Sequence, residues 1–227
     1  MSIVPRMNEE PIPHGEAGVE WLKAAFAEYT DPVRQHAAAL RSIHLDLPSV
    51  GLDMLMSRYA MQLCRDFIAA GVACQRPDVE LYAPYALIRY SWPTELEQET
   101  AELLRLYIRS GYCRLNNQED AFGCADRTGT FGPGSTHLEA ALRSGNIPAA
   151  IVLVEEGERI DLVPKTQLKD GAPFGNMLDL ARTWWADQDI EPHLIEASMR
   201  HRISLANQPI LAGLEQVHSR TRRARAV

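Results

Sequence analysis

With 227 residues, 46% of them hydrophobic, the chain can bury a sizeable core as one large domain or as a repeat array. The formal charge is −7, but the last eight residues, RTRRARAV, hold four arginines and no acid, which leaves residues 1–219 at −11. A body this acidic argues against general nucleic-acid binding, which needs cations to displace phosphate counterions, and favours encounter with a basic protein.

The opening MSIVPRMNEEPIPHG is too polar and proline-rich for a signal-peptide core, and residues 1–15 are expected to be a flexible segment. No eighteen-residue window is uninterruptedly apolar, so no transmembrane helix and no membrane partner are expected, and the expected location is cytoplasmic. Residues 16–45 predict a helical cap. Val19, Leu22, Ala25, Phe26 and Tyr29 recur at helical spacing, Thr30-Asp31-Pro32 breaks and restarts the chain, and VRQHAAALRSIHL supplies a second cap helix.

From residue 46 to 205 the pattern is short apolar runs punctuated by glycine. The stretch GSTHLEAALRSGNIPAAIVLVEEGERID, Gly134 to Asp161, predicts two helices. Thr136 opens the first, Gly145 turns the chain and Gly157 ends the second, where a left-handed residue is needed. The order recurs. Leu52 and Leu55 predict a first helix answered by a second ending at Phe67-Ile68-Ala69-Ala70-Gly71. APYALIRY precedes a helix bearing Leu106 and Ile108 and ending at Gly111, with SWPTELEQ inserted between. GNMLDLAR, carrying Leu178, Asp179, Leu180 and Ala181, precedes IEPHLIEASMRHRI. The loop NNQEDAFGCADRTGTFGPG, 116–134, is a second insertion, and PILAGLEQVHSRTRRARA predicts a C-terminal cap helix with a basic tail over 206–227.

These units resemble ankyrin repeats. Thr136, Leu138, Ala141, Gly145, Leu153, Gly157, Ile160 and Asp161 follow that family's order, with His137 in the place of its proline and Glu139 in the place of its histidine. The first two unit starts, near Val50 and Ala83, lie 33 residues apart, the family's usual period. The resemblance implies an all-α, ankyrin-like solenoid of about four helix-turn-helix units with helical caps and inserted loops. Each unit would bury its apolar faces only against its neighbours. It also implies a protein-binding module whose partner meets the concave face. Carried over position by position, that face takes Ser57 and Arg58 from the first unit. It takes Tyr90 and Ser91, beside Trp92, from the second, Arg143 and Ser144 from the third, and Thr183 and Trp184 from the fourth. Arg, Tyr and Trp are the residue types enriched at binding hot spots, so Arg58, Tyr90, Arg143 and Trp184 are the expected anchors, with Trp92 and Thr183 beside them.

Catalytic signatures are sparse. There is no GxxxxGK[ST], HExxH or GxSxG, and no nucleophile stands beside a base in sequence. Cys64, Cys74, Cys113 and Cys124 form no CxxC pair, which predicts reduced, structural thiols without zinc. His193 and His201 are read as surface or packing residues, and the 116–134 loop lacks the order of a calcium loop. Glu155, Glu156 and Glu158 are expected on a solvated edge. No cofactor or metal is implied. The expectation is a non-enzymatic interaction module. A more specific use would be an immunity-type inhibitor covering a basic toxin or enzyme, and a different class is a secreted effector or enzyme on the same frame. Nucleic acid would be reached only through Arg220, Arg222, Arg223 and Arg225.

Overall fold

The computed structural model describes residues 16–43, 52–73, 85–116, 135–167 and 171–224. The expected flexible segment 1–15, most of the 116–134 loop, Cys74, Cys124 and Arg225 lie outside them. Among the described residues the secondary structure is helical, with no strand and one isolated bridge between Gln167 and Pro173.

The described residues form nine α-helices in order: α1 (Glu16–Ala27), α2 (Pro32–Ser42), α3 (Leu52–Ala69), α4 (Tyr85–Arg89), α5 (Glu97–Arg109), α6 (His137–Ser144), α7 (Ile147–Glu156), α8 (Met177–Trp184) and α9 (Ile190–Ala224). They pack as two rows. In the first row α2 touches α4, α4 touches α6 and α6 touches α8. In the second, α3, α5, α7 and α9 adjoin in the same sequence. The pairs α2–α3, α6–α7 and α8–α9 join the rows, and α1 lies against α3.

Local chemistry explains the boundaries. Four helix starts carry a side-chain cap: Asp31 accepts from the Val33 amide at 3.0 Å, Thr136 from Glu139 at 3.1 Å, Asn146 from Ala149 at 3.2 Å and Asn176 from Asp179 at 2.9 Å. Gly145 (φ 73°) and Gly157 (φ 116°) supply the left-handed residues that close α6 and α7. The amides after them reach back to Ala141 and Leu153 carbonyls at 3.0 and 2.8 Å. Small residues let the rows approach, since Ala140, Ala141, Ala149 and Ala150 are fully buried between α6, α7 and their neighbours.

Two expectations are corrected. The first expected helix pair, Leu52/Leu55 followed by a helix ending at Ala69, is one unbroken 18-residue helix, α3. No glycine or proline interrupts Leu52–Ala70, and Met56, Ala60, Met61 and Cys64 line one buried face at helical spacing, so nothing locally favours a turn. Its hairpin partner is α2, which had been assigned to the cap. First-row helices therefore start at residues 32, 85, 137 and 177, and the 33-residue spacing disappears. Second, the expected C-terminal cap helix is the continuation of α9, which runs 35 residues through Pro209 and Gly213. A breaker is an energetic bias of about 3 kcal/mol for Pro and about 1 for Gly, and here the helical ladder continues past both. SWPTELEQ runs from the end of α4 into the start of α5, with two of its residues turned inward. Trp92 and Leu96 are core residues, and the Trp92 indole N–H donates to the Leu87 carbonyl at 2.7 Å, closing the end of five-residue α4.

Candidate interaction surface

The ends of the first-row helices meet along one edge. Asn146, fully buried, donates from Nδ2 to the carbonyls of Leu87 (2.8 Å), Ile88 (3.1 Å) and Tyr90 (2.6 Å) while its Oδ1 caps α7. Its two amide hydrogens are thus shared among carbonyls at the end of α4, Leu87 being served by Trp92 as well, which five residues of helix cannot satisfy internally. On the other side, the Trp185 indole N–H donates to the Leu142 carbonyl at 2.8 Å, and its ring lies where a Cβ on Gly145 would stand, 2.8 Å from the nearest ring carbon. The turn after α6 is therefore clasped between the ends of α4 and α8.

Large side chains remain open along this edge. Tyr90 is 43% exposed, with the Arg89 guanidinium 5.7 Å from its ring centre, and Trp184 is 41% exposed. Thr183 is exposed and donates to the Asp179 carbonyl at 2.7 Å. Arg143 is half-buried in the last turn of α6. Of the expected partner-binding residues, then, Tyr90, Arg143, Thr183 and Trp184 lie in or just after consecutive first-row helices. Two others do not join them. Trp92 is 8% exposed and packs in the core. Arg58 lies on α3, in the second row, where it pairs with Glu99 of α5 at 3.2 Å. Its neighbour Ser57, expected on the same face, is buried and donates to the Ile43 carbonyl at 3.1 Å.

Arg41 of α2 takes the place in the row that had been given to Arg58. The signal for it stands in the sequence: AALRS occurs at 38–42 and again at 140–144. Both copies end first-row helices, and both serines donate to the carbonyl four residues back, Ser42 to Ala38 and Ser144 to Ala140, each at 2.9 Å.

The expected solvated acidic run is instead structural. Arg105 of α5 meets Glu155 at 2.6 Å, Arg109 meets Glu156 at 2.5 Å, and Arg200 of α9 reaches Glu155 at 2.9 Å, so three adjacent second-row helices are strapped at the end of α7. Glu158 is 3% exposed and accepts from the Asn116 amide at 3.0 Å. Burial pushes its carboxyl up to about 7, opposed by hydrogen bonds from Asn116, Leu138, Thr136 and His137. Glu139, also buried, accepts from Lys165 and Thr166 amides and the Thr166 hydroxyl at 3.0, 2.7 and 2.6 Å, anchoring the loop between α7 and α8.

Burial sets the protonation of the described histidines and cysteines of the core. His36 Nε2 hydrogen-bonds the Tyr107 hydroxyl, and its ring stacks between Phe67 and Tyr107. Burial lowers His36 and His137 to about 4, which keeps both neutral at pH 7. Cys64 is free and pushed up to about 12 by burial, and Cys113, also free, is raised by burial and by Glu158. Both are therefore thiols rather than thiolate nucleophiles. Among the described residues no His, Cys, Asp and Glu cluster of three or more could hold a metal ion. His193 is exposed, whereas His201 packs under Gly157 and its Nδ1–H donates to the Glu155 carbonyl at 2.9 Å. No described helix is long and apolar enough to cross a membrane.

Comparison with protein-family models, curated proteins and solved structures finds no match to this chain.

Proposed function

We propose that this chain is a non-enzymatic protein-binding module, built as a divergent ankyrin-like array, whose partner docks along the first-row edge. The observation that carries the reading is the exposure of Tyr90 and Trp184 on first-row helices whose backbones are held in register by Asn146 and Trp185. Large aromatics on a rigid frame bury much area at little ordering cost, which suits them to anchor a partner. The paired helices, the glycine-closed ends and the stacking of each pair on the next support the ankyrin-like reading.

The test uses two baits in parallel, the full chain and its Tyr90→Ala/Trp184→Ala variant, for affinity purification from the source cells. The reading expects a protein that the full chain retains and the variant does not. Titration of the purified pair should then show affinity weakened by about 2 kcal/mol or more, roughly 30-fold. Equal retention of every protein by both baits would reject this edge as the docking surface.

A further inference from the structure

We propose that Glu158 and Asn116 form a pH-sensitive latch, which holds the tail of α5 on the end of α7 in acid and releases it as the solution is made neutral and alkaline. The latch lies by the first turn of α6, at the other end of that helix from the docking edge, and does not depend on that reading.

Three hydrogen bonds make the closed form. The Asn116 amide donates to Glu158 Oε2 at 3.0 Å, Asn116 Nδ2 donates to the Gly157 carbonyl at 2.9 Å, and the Arg159 amide donates to Asn116 Oδ1 at 2.7 Å. Asn116 takes a left-handed backbone, φ 60°, which asparagine adopts more readily than most residues. The tail it ends, residues 110–116, lies beyond the last turn of α5, so contacts of this kind, rather than a helical ladder, hold it. Glu158 is the ionisable member of the set, and it is 3% exposed.

The surroundings oppose its charge only with dipoles. The Thr136 hydroxyl and the His137 and Leu138 amides at the start of α6 support the carboxylate together with Asn116, and burial outweighs them. Cys113 of the tail is a buried thiol, and Arg114 beside it is exposed. His137 belongs to α6 and is neutral above about pH 4. His201 of α9 covers Gly157 and gives its Nδ1–H to the Glu155 carbonyl, and Arg159 is exposed and pairs with Asp161 at 2.7 Å.

The direction follows from linkage. In the closed form the Glu158 carboxyl is pushed up to about 7, against 4.5 in water. Once released it ionises more readily, so release grows as pH rises above about 4.5 and levels off above about 7. Between pH 5 and 8 the ratio of released to closed forms increases by up to about 70-fold. Release also uncovers Cys113, whose thiol is pushed up by burial and by Glu158 while the latch is closed.

Amide hydrogen exchange of Asn116, Arg159 and Val154, corrected for intrinsic rates, is followed by NMR between pH 5 and 8 in the full chain and in Glu158→Gln. Val154 is buried within α7 and reports global opening. The expected result is that Asn116 and Arg159 exchange about tenfold or more faster than Val154, and that their parent-to-variant rate ratio rises with pH by up to about 70-fold. A ratio constant with pH would overturn the proposal. So would equal protection of all three amides, which would mean that the tail leaves only when the whole array unfolds. Alkylation of Cys113 by iodoacetamide, read by mass spectrometry, serves if Glu158→Gln fails to fold. The parent's rate, relative to that of Asn116→Ala in which the latch is broken, should climb towards equality as pH rises, and a fixed ratio would overturn the latch.

Discussion

The α6–α7 hairpin and the later part of α9 are built on opposite terms. In the hairpin nearly every polar group has a structural use: Thr136 and Asn146 cap, Glu139 holds a loop, Gly145 and Gly157 admit close neighbours, and the apolar side chains are buried. From Arg202 to Gln208 in α9 every described side chain is exposed, Ile203 at 61%. Stability thus concentrates in the centre of the array, where each residue serves two neighbours, and falls away where one row outruns the other. The first-row edge combines both: its backbone is locked into the centre while Tyr90 and Trp184 stay open.

The contrast is broken most forcefully at Asn146. Asn146→Ala removes a cap, worth about 1 kcal/mol, and takes the Asn146 donor from the Ile88 and Tyr90 carbonyls at the end of α4, while Leu87 keeps Trp92, at about 1–3 kcal/mol more. The expected loss of about 3 kcal/mol is measurable by denaturant unfolding. A loss below about 1 kcal/mol would mean that α4 does not depend on this strap.

Glu158→Gln sharpens it through pH. The folded-state pKa of Glu158, raised to about 7, exceeds its unfolded value, so its contribution is fully present below about pH 4.5 and is lost as pH rises through 7. Glutamine keeps the acceptor for the Asn116 amide and carries no charge. The variant's stability relative to the parent should therefore grow with pH, by up to about 3 kcal/mol between pH 4.5 and 8. His36 and His137 act oppositely: their depressed values mean that stability present above pH 6.5 is lost as pH falls toward 4. Since they titrate equally in both proteins, the difference isolates Glu158, and a pH-independent difference would refute the assignment.

Two glycines with one backbone angle give a smaller contrast. Gly71 and Gly145 both have φ 73°, yet a Cβ on Gly71 meets nothing within 4 Å, whereas one on Gly145 meets Trp185 at 2.8 Å. Each Gly→Ala change incurs about 1 kcal/mol of left-handed strain. Gly145→Ala should lose about 1 kcal/mol beyond that, from disturbance of the Trp185–Leu142 hydrogen bond. Equal midpoints in a thermal scan of the two variants would show that the Trp185 contact gives way freely. At the weak extreme, Met199→Ala and Ile203→Ala in α9 should change stability by less than about 0.5 kcal/mol, since both are exposed.

What could be read in the sequence follows the same division. The α6–α7 boundaries were legible because Thr136, Gly145, Asn146 and Gly157 act on backbone within four residues of themselves. The α3 boundary was not, because the expected break came from a repeat consensus and no local breaker enforces it. Pro209 and Gly213 misled in the opposite sense, as local signals that the helix overrides. Tyr90, Arg143, Thr183 and Trp184 fall in or just after the ends of α4, α6 and α8, whose starts the sequence marks locally. Arg58 moved to the other row once α3 proved continuous, and Trp92 went inside because aromatic character alone does not distinguish an anchor from a core residue. The acidic run was misread because its partners, Arg105 and Arg200, lie 50 and 45 residues from Glu155.

The most direct test sets the two exposed apolar regions against each other. Affinity for the partner retained by the full chain is measured, by calorimetry, for Tyr90→Ala/Trp184→Ala and for Met199→Ala/Ile203→Ala, with unfolding midpoints alongside. The account predicts that the first-row variant binds about 30-fold or more weakly at nearly unchanged stability, while the α9 variant binds as the parent does. Weakened binding by the α9 variant with the first-row variant intact would contradict it.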